Sequence, residues 1–185
     1  MDMFYFYHGT NIDSLDNILK KRYIYPSNMI DKKYTKVLPG SKYIFFNIIN
    51  NNIIDTFENR DELIALGEIT IIIDPLVLKY KKAILNFNWS KEPTPKSLVL
   101  NDTDIDNVFD KLISIYKYPY IMTHEVIFTD SINIKFIIGI VVPNPVLINS
   151  NNNSYKENYN IVKKILKKYK LDHIKIFKSM PKLVE

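Results

Sequence analysis

Phe4-Tyr5-Phe6-Tyr7-His8-Gly9-Thr10 is the stretch that decides the fold. It reads as a short aromatic strand that ends in an imidazole, a glycine and a hydroxyl. Asn11 follows, and then Ile12, Leu15, Ile18 and Leu19 at the spacing of one helix face. Thr10 with Asp13 three residues on has the form of a capping box, so a helix is expected to start here. His8 then lies at a strand-to-helix turn, where side chains are exposed and backbone amides are free to meet a ligand. Gly9 is one of only four glycines in 185 residues. It permits a positive φ or a close approach beside the imidazole.

A chain of this length, 46% hydrophobic and 13% aromatic, can bury a real core and is not a disordered segment. We expect one domain over residues 1–185. There are no cysteines, which excludes disulfides and thiolate zinc sites and fits an intracellular protein. The start has no basic n-region, and no apolar run approaches transmembrane length, so neither a signal peptide nor a membrane span is expected. Net charge is +5, carried mostly by lysine, with arginine only at Arg22 and Arg60. That balance suits an anionic partner without requiring one.

Further along, Lys42 to Ile48 and Glu68 to Ile73 are β-branched and aromatic, and read as buried strands. Asp74-Pro75 stops the second. Tyr23 to Tyr25 and Ala83 to Phe87 are shorter candidates. Helices are expected over 55–66, from Thr103 to Tyr116, and over 155–170 with Tyr159, Val162, Leu166 and Tyr169 inward. The runs 126–128 and 134–142 suggest a hairpin, and 174–177 a last edge strand. The pattern is α+β with mixed or antiparallel sheets. No Gly-x-Gly-x-x-Gly is present, so a Rossmann or P-loop cradle is excluded.

Three separated pieces together resemble the ADP-ribosyltransferase superfamily, in its poly(ADP-ribose) polymerase and DarT-like branches. The first is His8-Gly9-Thr10 with the helix behind it. The second, Gly40-Ser41-Lys42-Tyr43-Ile44-Phe45-Phe46, is similar to the strand that supplies the aromatic stacked on nicotinamide. Phe45 matches in one register and Tyr43 in the register shifted by two, which keeps the same face. The third, His124-Glu125-Val126-Ile127-Phe128-Thr129-Asp130 followed by Ile137 to Val142, resembles the family's catalytic-glutamate strand. The resemblance covers roughly residues 4–142.

The resemblance implies two small mixed or antiparallel sheets around an NAD cleft lined by His8, an aromatic from 43 to 46, and Glu125. It implies a mono-ADP-ribosyltransferase that cleaves NAD, without a metal, and passes ADP-ribose to a macromolecular acceptor, protein or nucleic acid. Glu125 takes the catalytic role. His8, Gly9, Thr10, and Tyr43 or Phe45 bind NAD. The chain departs from the family pattern at Thr123, two before Glu125, and at Ile53, where a nicotinamide-binding serine would stand. The arginine of DarT-like toxins has only Arg22 or Arg60 as counterparts. The alternatives are an ADP-ribosyltransferase fold that lost its chemistry and serves as a nucleic-acid-binding or interaction domain, and an RNA 2′-phosphotransferase. His8, His124 and His173 follow no zinc-site spacing.

Overall fold

The computed structural model describes residues 4–31, 41–50, 62–63, 66–86, 98–100, 120–142 and 155–179. The order begins β1 (Phe4–Thr10), α1 (Ile12–Lys21), β2 (Tyr23–Ile24), β3 (Ile44–Asn50), β4 (Glu62–Leu63), β5 (Ile69–Ile73) and β6 (Ala83–Asn86). It continues β7 (Leu98–Leu100), β8 (Tyr120–Phe128), β9 (Ile132–Asn133), β10 (Ile137–Val142), α2 (Tyr155–Lys168) and β11 (Lys175–Ser179). The expected helices over 55–66 and 103–116 lie outside the described residues, apart from Leu66.

The architecture is α+β. A nine-stranded mixed sheet runs β4-β11-β10-β5-β1-β3-β8-β6-β7, and β2 pairs with β9 in a small second sheet. The two sheets are thus very unequal in size. Pairs in the large sheet are antiparallel except β10–β11 and β11–β4. The expected hairpin of 126–128 with 134–142 does not form: β8 pairs with β3 and β6, and β10 with β5 and β11. Nor is β11 an edge, because β4 flanks it.

Strand alternation divides the core. On one face Phe6, Phe46, Phe128, Ile71, Ile73, Ile140 and Val142 pack with Leu15 and Leu19 of α1 and Val162 and Leu166 of α2. Rings of Phe6, Phe46 and Phe128 meet at centroid distances of 5.5–6.5 Å, largely edge to face. On the other face Tyr5, Tyr7, Ile72, Val141 and Phe177 form a smaller cluster. Lys168 of α2 reaches Asp16 of α1 at 2.9 Å on the surface.

The cap of α1 differs from the expectation. Asn11, not Thr10, is the N-cap, and its side chain accepts from the Ser14 amide at 2.7 Å. Thr10 is still in β1, paired with Ile69, so its backbone is committed to the sheet. Arg22 closes the helix at φ 64°, in the left-handed region. Along α2 the buried positions are Asn158, Val162 and Leu166. Tyr159 and Tyr169 are half-buried.

Candidate functional site

The central strands part company at one point. β1 pairs with β3 only as far as Tyr7 and Asn47, but stays paired with β5 through Thr10 and Ile69. Beyond Tyr7, β1 and β3 therefore fork. Continuing the register would set Gly9 opposite Phe45. Instead the Phe45 carbonyl accepts from His8 Nδ1 at 2.9 Å. An acceptor oxygen fixes the proton on Nδ1, so neutral His8 presents Nε2 as an acceptor. The imidazole thus ties β1 to β3 just past the last pair of their ladder, while Gly9 stays paired with Thr70 of β5.

His8 is half-buried, with its ring 5.3 Å from that of Phe46. Desolvation lowers its pKa below 6.5, and the Phe45 carbonyl opposes that shift without reversing it. Gly9 is needed for packing as well. A Cβ there would lie 2.6 Å from the Leu66 carbonyl oxygen, so the close approach is made by the chain itself. The Leu66 amide in turn donates to Thr70 Oγ1 at 2.6 Å. A Cβ on Gly67 would crowd the backbone of Thr10, at 3.2–3.3 Å. The turn at 66–68 thus folds over the end of β1. Leu66 and Thr70 were not legible as parts of the site, and Gly67 was the signal that marked the turn.

Tyr43, just before β3, and Phe45 on it touch, ring centroids 6.1 Å apart at 72°. Lys42 Nζ stands 5.2 Å from the Tyr43 ring centroid. Both residues are half-buried. On β8, Glu125 is 2% exposed. It pairs with Asn47 of β3 on one side and Asn86 of β6 on the other. The structure therefore brings His8, Gly9 and Thr10, the two aromatics, and Glu125 onto three neighbouring strands, β1, β3 and β8. Alternation sets Phe45, Asn47 and Glu125 on one face, with Tyr7. His8 is on the other face, beside Phe46, at the mouth of the fork.

Arg22 is exposed at the end of α1, its carbonyl accepting from the Ile134 amide at 3.1 Å. Gly40, Ile53 and Arg60, and the side chains of Thr123 and His124, lie outside the described residues. Among the described residues no three His, Cys, Asp or Glu side chains converge as a metal site would require. No helix among them is long and apolar enough to cross a membrane.

A family model described as a family of unknown function, DUF5846, matches residues 1–119. The chain belongs to the DUF5846 family. No curated protein matches it. Among solved structures, this DUF5846 chain is similar to Thermus sp. 2.9 DarT in complex with NAD+, with a TM-score of 0.54 at 13% identity over 96% of this chain and 95% of that one. The carba-NAD+ complex gives 0.53 at 13% identity, with the same coverage. The complex with ADP-ribosylated single-stranded DNA gives 0.52 at 12% identity over 94% and 93%. At this identity the likeness is one of fold: the chain shares the fold of these DarT structures.

Proposed function

We propose that this DUF5846 chain, read as one domain over 1–185, is a mono-ADP-ribosyltransferase that binds NAD in the fork between β1 and β3. The observation that carries the reading is the hydrogen bond from His8 Nδ1 to the Phe45 carbonyl, made just where β1 leaves β3. Beside it lies the exposed Gly9, whose backbone would meet the carboxamide, a group that needs one donor and one acceptor. The unprotonated Nε2 of His8 suits a ribose hydroxyl, and Thr10 adds a second polar group. Phe45, with Tyr43 against it, offers the nicotinamide a stacking face.

Because His8 and Glu125 occupy opposite faces, the dinucleotide must thread the fork, with its nicotinamide ribose on the Glu125 side. The bond that breaks joins nicotinamide to the ribose C1′, and its electron pair leaves with nicotinamide. The oxocarbenium-like ribose is stabilised by the Glu125 carboxylate, a preorganised charge on a side chain withdrawn from water. An acceptor nucleophile then forms the new bond to C1′ and gives up its proton. No step calls for a metal ion. Of acceptors, single-stranded DNA is the first to try, since a structural neighbour was captured with its ADP-ribosylated form.

A second reading, a fold that has lost the chemistry and binds nucleic acid or a protein partner, is favoured by one feature. Lys163, Lys164 and Lys167 are all exposed on α2. The two readings part on NAD. Incubation with NAD labelled in the adenylate, against single-stranded DNA, RNA and protein acceptors, should transfer label and release nicotinamide. Absence of both from every acceptor leaves the binding-domain reading.

A further inference from the structure

The large sheet is almost wholly apolar where it is buried. Its described buried polar side chains are Thr70, Asn86 and Glu125. Thr70 accepts from the Leu66 amide. Asn86 and Glu125 face each other across β6 and β8, and Asn47 faces Glu125 from β3. Directly opposed residues have Cβ atoms about 5 Å apart and share a face. A carboxylate withdrawn from water needs hydrogen-bond donors, and an isolated one is very costly. A primary amide brings two N–H donors. Asn86 is fully buried, so it meets no solvent. Neither Asn86 nor Glu125 lacks an interaction.

We infer that Asn47 and Asn86 are positioning residues that grip the Glu125 carboxylate from its two neighbouring strands and fix its rotamer toward the fork. The inference rests on the catalytic reading of Glu125. The two strands do different work. Asn47 stands at the apex of the fork, opposite Tyr7, and is half-buried, so it also borders the space where NAD would lie. Asn86 is remote from the fork and can act only through Glu125.

The test uses Asn86 in the full chain. Asn86→Leu keeps the bulk and removes the donors, whereas Asn86→Ser restores one donor. Nicotinamide release by Asn86→Leu should fall in kcat by roughly tenfold to a hundredfold, the equivalent of one hydrogen bond to a charged group, with little change in KM. Asn86→Ser should recover most of that loss. In a Glu125→Gln background Asn86→Leu should cost nothing further. Losses that multiply in the double variant overturn the inference. An activity-independent arm separates it from the transferase reading. In glutamate-labelled protein, the infrared difference between wild type and Glu125→Gln isolates the Glu125 carboxylate band. Asn86→Leu should move that band even if no acceptor is ever found. A band unmoved by Asn86→Leu overturns the inference whatever the enzyme does.

Discussion

His8 donates to the carbonyl of Phe45 across 2.9 Å, beyond the last rung that joins their strands. One imidazole thus ties the two strands together just where their ladder ends.

The first consequence concerns ligand binding. A ligand bound only by the folded chain raises its melting temperature in proportion to the logarithm of its concentration above Kd. Millimolar NAD should raise the melting temperature of wild type. His8→Ala should abolish the rise, since it removes the Nε2 acceptor and the tie to the Phe45 carbonyl. Equal shifts in the two proteins would remove the fork as the binding place.

The second concerns pH. The folded-state pKa of His8 is lowered, chiefly by desolvation, below the 6.5 of the unfolded chain. As pH falls through 6.5 the unfolded state takes up the proton first, so the stability that neutral His8 contributes is present above 6.5 and is lost toward the lower folded value. Melting temperature should therefore decline from pH 7 to pH 5 more steeply in wild type than in His8→Asn. Parallel profiles would show that His8 is not the group responsible. NAD affinity should weaken only as pH approaches the lower folded value, because a protonated Nε2 no longer accepts.

Much of this fold was legible in the sequence for a simple reason: apolar, β-branched runs such as Ile69 to Ile73 have few alternatives to a buried strand. The helix from Ile12 was equally plain, though its cap was placed one residue early. Thr10 has a capping side chain, but its backbone is still in β1, paired with Ile69 of β5. The 126–142 region was misread because strand identity is local and partner choice is not. Thr129 to Asn133 look like a hairpin turn, yet the chain crosses from β8 to β10 on the far side of β1, β3 and β5. The motif residues were visible as residue types in order. That Glu125 lies between two asparagines, and that Leu66 covers Gly9, depends on register between distant strands, which no local pattern encodes.

A third prediction separates packing from binding at the glycines. Gly9→Ala drives a methyl against the Leu66 carbonyl oxygen at 2.6 Å, and Gly139→Ala drives one against the Phe177 ring at 2.7 Å. Each should destabilise the fold by about 1–3 kcal/mol, the usual cost of overpacking. Denaturant titration measures it. Only Gly9→Ala should also weaken NAD, since β10 is two strands from the fork. A Gly139→Ala protein that loses NAD at temperatures where it is fully folded would contradict the assignment.

The aromatics at the start of β3 provide a fourth. Tyr43 and Phe45 touch edge to face, so stacking by one is supported by the other. Phe45 is adjacent to Asn47 on the Glu125 face, and Tyr43 lies a step further out. Phe45→Leu should therefore raise KM for NAD more than Tyr43→Leu, by several-fold, a stacked aromatic pair being worth about 0.5–1.5 kcal/mol beyond its buried area. The reverse ranking, from nicotinamide-release kinetics on both variants, would assign the stacking ring to Tyr43.

Glu125 carries the decisive test. Glu125→Gln keeps the shape and the hydrogen-bonding reach of the side chain between Asn47 and Asn86, but it removes the charge. If the carboxylate stabilises an oxocarbenium-like ribose, the interaction belongs to the transition state and is nearly absent in the NAD complex. The variant should therefore bind NAD within a few-fold of wild type, by thermal shift or calorimetry. Its nicotinamide release should fall by about a hundredfold to a thousandfold, as when one preorganised charge-stabilising group is lost elsewhere. Stability should change little, because an amide can take most of the partners of a buried carboxylate without the cost of a charge. A loss of binding and stability together would make Glu125 a structural carboxylate of the sheet. Undiminished turnover would remove it from the chemistry, and the transferase reading would lose its catalytic group.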